Sequence, residues 1–112
     1  MKKIEAIIRP ERLEVLKDAL MAAKVNGLTI SQVAGCGIQH GWTEHVRGSE
    51  IIMNTRAKVE IKIVVPDARL EEIIGIIMKV AQTGEVGDGK IFVTEVIDCV
   101  RIRTGERGDR AI

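Results

Sequence analysis

Val59, Ile61, Ile63 and Val65 alternate with Glu60, Lys62 and Val64, and Pro66-Asp67 closes the run. Period-two spacing of β-branched residues predicts a strand, and the proline-aspartate pair predicts a turn and a helix cap after it. The same order occurs near the start. Ile4, Ala6 and Ile8 alternate between Lys3 and Arg9, Pro10 ends the run, and a helix is predicted at once. A chain that twice writes strand, proline, helix is restricted to folds in which helices cross over a sheet.

The first helix is predicted from Glu11 to about Val25, where Leu13, Leu16, Leu20 and Ala23 recur at helical spacing and Asn26-Gly27 supplies the stop. Leu28 to about Val33 returns to strand composition until Gly35-Cys36-Gly37 interrupts it. The second helix runs to about Gln82 through Leu70, Ile73, Ile74, Ile77 and Met78, weakened slightly by Gly75. A last strand covers Ile91 to Val96, and Arg101 to Ile112 reads as a polar tail. The order is β-α-β followed by β-α-β, an α+β ferredoxin-like split pattern with two helices on one face of a four-stranded sheet. The other face is then bare. It should carry Ile7 and Val64 among other apolar groups, which another subunit would cover.

Between the second and third strands, about 37–57 shows no sustained periodicity. Loops of that length inside a compact domain are usually functional or disordered, and Ile51-Ile52-Met53 at its middle suits partner docking better than a passive linker. An undetected short strand or hairpin is the other account of the segment.

Thr83-Gly84-Glu85-Val86-Gly87-Asp88-Gly89-Lys90 spaces Gly84, Gly89 and Lys90 as in a phosphate loop, where glycine backbone N–H groups and a lysine meet phosphate oxygens. Ile91 follows where hydrolysing loops place a metal-holding Ser or Thr, and a strand follows where they open a helix. The pattern therefore favours nucleotide binding over efficient hydrolysis, the alternative being a simple glycine turn.

The chain's 112 residues, 46% of them hydrophobic, suit one domain with a real core. The 17 basic against 16 acidic residues give no general attraction to nucleic acid or anionic membrane. One Phe, one Trp and no Tyr leave little on which bases could stack, so nucleic-acid binding is not expected. Cys36 and Cys99 lack metal-ligand spacing, and no apolar stretch approaches a membrane span. A soluble, untargeted, cytoplasmic protein with reduced thiols is expected.

These motifs on one frame, with Met1 to Pro10, Arg47-Gly48-Ser49-Glu50, Arg101-Ile102-Arg103-Thr104-Gly105 and the closing Ala111-Ile112, resemble the PII nitrogen-regulatory signal-transduction family (GlnB/GlnK-like) from end to end. The resemblance implies one PII-like domain over 1–112, with a docking loop at about 37–57, a phosphate loop at 82–90 and a C-terminal segment at 100–112. It implies a cytoplasmic homotrimer whose subunit clefts bind ATP or ADP competitively. Thr83, Gly84, Val86, Gly87, Asp88 and Gly89 would form the phosphate loop, with Lys90, Arg101 and Arg103 as cations. Both arginines come from a neighbouring subunit in some arrangements, and guanidinium forks match phosphate oxygens. Ile7, Thr29 and Val64 match positions around the adenine. With Mg²⁺-ATP the family also binds 2-oxoglutarate. Gln39 would coordinate the metal, the backbone at Gly37, Ile38 and onward to Gly41 would contact the acid, and Lys58 would pair with its distal carboxylate.

The chain departs from the family pattern in places. Ile51 stands where many bacterial members carry a modifiable tyrosine, so that modification is excluded. Ser49 matches a serine phosphorylated in some members, and Arg47 matches an arginine that plugs ammonium channels. Asn54-Thr55-Arg56-Ala57 lacks the usual apolar-proline pair, and Lys62 sits where Glu is common, as if exchanged with Glu60. The implied function is a non-enzymatic sensor of ATP/ADP and 2-oxoglutarate acting through loop conformation. Its partner would be an ammonium channel, glutamine synthetase or another nitrogen-control protein, with membrane contact only through a channel. An adenylate-only sensor and a slow regulatory ATPase are the alternatives.

Overall fold

The computed structural model describes residues 1–38, 44–46, 49–51 and 53–112. Strand β1 (Lys2–Ile8) leads through a 3-10 turn at Pro10–Arg12 into helix α1 (Leu13–Ala22), then β2 (Thr29–Ile38). Short strands β3 (Glu44–Val46) and β4 (Ser49–Ile51) pair with each other. Strand β5 (Met53–Val65) continues through a 3-10 turn at Asp67–Arg69 into helix α2 (Leu70–Ala81), and β6 (Lys90–Glu95) completes the sheet. The sheet order is β2-β5-β1-β6, antiparallel throughout, which is the split βαβ arrangement predicted from the alternation.

The register explains the core. Ile4 faces Ile63, Ala6 faces Ile61 and Ile8 faces Val59, so one face of the two central strands is continuously apolar. Leu16 and Leu20 of α1 and Ile73, Ile77 and Ala81 of α2 pack onto it, all buried. The helices are tied crosswise. Arg12, at the entry to α1, donates from Nε and Nη2 to the Val80 carbonyl at 2.9 and 2.5 Å, near the end of α2. Arg69, at the entry to α2, donates from Nη2 to the Ala23 carbonyl at 2.5 Å, just past the end of α1. Each guanidinium thus satisfies a carbonyl that its neighbour's last turn leaves open, where the helix dipole favours a cation.

The structure corrects four expectations. Strand β2 does not stop at Gly35-Cys36-Gly37 but runs on to Ile38, paired with β5 down to Met53. A two-stranded ribbon therefore occupies both ends of the expected 37–57 loop. The bare sheet face is a charged mosaic rather than an apolar one. Ile7, Val64 and the exposed Phe92 lie on it, but Ile7 is opposite Glu60, Val64 is opposite Lys3, and the row between them pairs Glu5 with Lys62. Two ion pairs, Lys3 to Glu5 at 3.0 Å and Lys62 to Glu60 at 3.2 Å, run along it. Asp67 caps no helix. It accepts the Met1 ammonium at 2.9 Å, which holds its carboxyl below the ordinary range, with Lys2 adding to the effect. The polar tail is folded: Val100 and Arg107 form a β-bridge, and Gly108–Ala111 is a 3-10 turn.

Candidate functional site

The glycine loop leaves α2 at Ala81 and enters β6 at Lys90, and an internal clamp gives it its shape. Asp88 Oδ2 accepts the backbone N–H groups of Thr83 and Gly84 at 2.8 and 2.9 Å. Its Oδ1 accepts the Thr83 hydroxyl at 2.5 Å and Arg9 Nε at 3.0 Å. The Thr83 hydroxyl and the Arg9 guanidinium hold the Asp88 carboxyl well below the usual carboxylate range, so the clamp is charged at neutral pH. The glycines fit for steric reasons. Gly84 and Gly89 have φ of +90° and +99°, and a Cβ on Gly89 would lie 1.7 Å from the Ile7 carbonyl oxygen.

Two cations from outside the loop grip its carbonyls. Arg9 Nη2 donates to Val86 O at 2.8 Å and Lys58 Nζ to Gly87 O at 2.5 Å. Lys58 thus stands against the loop. Arg9 was not among the residues the sequence singled out. The pairing of Ile7 with Lys90 puts it at the loop's end of the sheet, a relation visible only once the strand order is known.

The remaining predicted residues fall into two groups on the chain. Ile7 joins Asp88, Gly89 and Lys90 beside a groove of about 490 Å³ between α2 and β6. Thr29, Val64 and Arg101 share a second cleft of about 680 Å³ with Lys3 and Lys62. Along β1 these regions are marked by Ile7 and Lys3, about 13 Å apart at 3.3 Å per residue. Arg101 also lies 3.6 Å from Glu106, while Arg103 is exposed and lines neither cleft. Asp88 spends its carboxylate on the loop, so its contribution to a ligand would be indirect. Val86 is exposed. Gly37 and Ile38 end β2, paired with Asn54 and Met53, and Ser49 and Ile51 bound β4. Gln39 and Arg47 lie outside the described residues, as does Trp42. Among the described residues no helix is long and apolar enough to cross a membrane.

Comparison with known proteins places these features in a wider set. The sequence profile described as nitrogen regulatory protein P-II matches residues 1–106. The chain is 48% identical over 112 residues to nitrogen regulatory protein P-II of Rhodospirillum rubrum, covering all of both chains. It is 47% identical to nitrogen regulatory protein P-II 1 of Escherichia coli over the same span, again covering both completely. Among solved structures, B. subtilis GlnK superposes with a TM-score of 0.84 at 37% identity, over 99% of this chain and 97% of that one. The B. subtilis GlnK-ATP complex does so at 0.84 and 36% identity, over 99% and 96%.

Proposed function

This chain belongs to the nitrogen regulatory protein P-II family, whose members are signalling proteins rather than enzymes, and from that membership we propose a sensor of adenine nucleotides. In this reading it binds ATP or ADP and, with Mg²⁺-ATP, 2-oxoglutarate. It reports both to a nitrogen-metabolism target through the segment between β2 and β5. The observation that carries the proposal is the Asp88-clamped glycine loop ending in Lys90, on a chain that superposes along nearly its whole length on a GlnK-ATP complex.

The division of the predicted ligand residues supports an assembly. On one chain Ile7 stands about 13 Å along the sheet from Val64, a long reach for a single adenine base. A site shared between subunits of a homotrimer resolves this. The loop, Lys90 and Ile7 come from one subunit, and Thr29, Val64, Arg101 and Arg103 from the next. Charge-assisted hydrogen bonds from these cations to phosphate oxygens contribute about 1.5–3 kcal/mol each.

The donor chemistry suits Mg²⁺ held largely by ligand oxygens. Among the described residues no three His, Cys, Asp or Glu side chains converge, and Asp88 is committed to the loop. The Gln39 carbonyl would be the protein's ligand, with phosphates and 2-oxoglutarate supplying the rest. Bound there, the ion would neutralise phosphate charge. Lys58 would exchange the Gly87 carbonyl for the distal carboxylate of 2-oxoglutarate. Because the exchange touches the loop and the root of the β2–β5 ribbon together, ATP and 2-oxoglutarate should bind with positive coupling of about 1–3 kcal/mol. From the cytoplasm the ribbon then engages its target, an ammonium channel being the leading candidate.

Calorimetric titration of 2-oxoglutarate with Mg²⁺-ATP, repeated with Mg²⁺-ADP, tests the proposal. Heat only with ATP supports it. ATP binding without any 2-oxoglutarate binding would reduce the protein to an adenylate sensor, and sedimentation should show three times the 12.3 kDa chain mass.

A further inference from the structure

Arg9 occupies the space between the end of β1 and the glycine loop, with its side chain 18% exposed. It makes two contacts there at once, Nε to Asp88 Oδ1 at 3.0 Å and Nη2 to Val86 O at 2.8 Å. The first anchors the residue that gathers the Thr83 and Gly84 N–H groups. The second fixes a peptide plane. No described peptide bond is cis, and in a planar trans peptide the carbonyl and the following N–H point in opposite directions. Val86 O turned toward Arg9 therefore turns the Gly87 N–H away from it. By the same geometry Lys58, holding Gly87 O, turns the Asp88 N–H away from its own side. The Gly87 N–H thus faces away from Arg9 and the Asp88 N–H away from Lys58, two successive donors of the kind that receive an anion.

We infer that Arg9 is a positioning residue for phosphate binding, orienting the Gly87 N–H and locking the Asp88 clamp without touching the ligand. The inference rests on the nucleotide reading above. A guanidinium fork holds a carboxylate and a carbonyl together in fixed relative directions, whereas a lysine ammonium at the same place is a single point charge of shorter reach. The effect should therefore scale with the phosphates of the ligand and leave the nucleoside alone.

The test measures affinities of ATP, ADP and adenosine for the unmodified protein, Arg9→Met and Arg9→Lys, by calorimetry and by displacement of a fluorescent ADP analogue. Arg9→Met should weaken ATP by about tenfold to a hundredfold, while adenosine stays within about twofold. Arg9→Lys should lose about threefold to tenfold for ATP, again with adenosine unchanged, and it decides the matter if the methionine variant does not fold. Equal losses for ATP and adenosine would mark Arg9 as merely structural and overturn the inference. So would unchanged ATP affinity in both variants. If the unmodified protein itself binds no ATP, the nucleotide reading fails, and this role with it.

Discussion

Gly89→Ala tests the close passage of the loop over β1. The added Cβ would meet Ile7 O at 1.7 Å, Ile7 C at 2.7 Å and Ile8 N at 3.4 Å, where real Cβ contacts essentially never fall under 3.0 Å. The nearest atoms are backbone of a central strand whose neighbours on both sides are paired, so the loop must move by more than an ångström. The φ of +99° adds its own cost for an L side chain, about 1–2 kcal/mol. Strain and displacement together should remove about 3–5 kcal/mol of stability. Gly84→Ala is the matched control. Its φ of +90° is as unfavourable, but a Cβ there meets nothing within 4 Å, so only the conformational part should be lost. In urea, at a slope of about 2 kcal/mol per molar, the midpoint should fall by about 2 M for Gly89→Ala and about 0.7 M for Gly84→Ala. Protein concentration must be held fixed because the proposed assembly would contribute to apparent stability. Equal midpoints for the two variants would refute the claim that contact with Ile7, rather than backbone conformation alone, requires glycine at 89.

Two further outcomes are expected. Because the Asp88 carboxyl titrates well below its unfolded value near 3.9, its contribution is complete above that value and is lost only as pH falls through the folded one. Amide NMR shifts of Thr83 and Gly84 should therefore stay flat from pH 6 to pH 4, and a midpoint near 4 would show the clamp to be absent. Lys62→Glu changes the charge beside Thr29, Val64 and Arg101 by two units. It should weaken ATP about fivefold, an effect that shrinks as salt is raised, and salt-independent or absent change would exclude Lys62 from the nucleotide's surroundings.

What could be read from sequence depended on whether a local pattern had one buried face. Ile4, Ala6 and Ile8 could be assigned because the helices cover one side of β1, and Leu16, Leu20, Ile73 and Ile77 kept helical spacing for the same reason. The β2–β5 ribbon could not, since it stands clear of the helices. Cys36, Ala34, Thr55, Arg56 and Ala57 are all exposed there, and with no buried face there is no alternation to detect. The glycine loop could be marked out from the spacing of Gly84, Gly89 and Lys90, but its clamp could not. Asp88 looks like one more turn residue until Arg9, 79 positions away, is seen against it. Asp67 was misassigned because its position after Pro66 has the form of a cap, whereas the Met1 ammonium, brought close by folding, is the stronger partner. On the bare face Ile7 and Val64 stand where the alternation puts them, but the ion pairs beside them depend on strand packing that alternation alone does not give.

The ribbon also gives the molecule a mechanical advantage. Pairing of β1 with β5 ends at Ile8 and Val59, while β2 and β5 continue together from Val33 and Lys58 to Ile38 and Met53, an arm of about 17 Å. Lys58 stands at the fulcrum, with its Cγ 3.3 Å from where a Cβ on Gly35 would be, and its ammonium on the glycine loop. A turn of about 10° at that point would carry the far end of the arm about 3 Å. Under the proposed function, a single ammonium exchanging one oxygen for another would thus be read at a distance as the swing of a lever, with little change required in the body of the sheet.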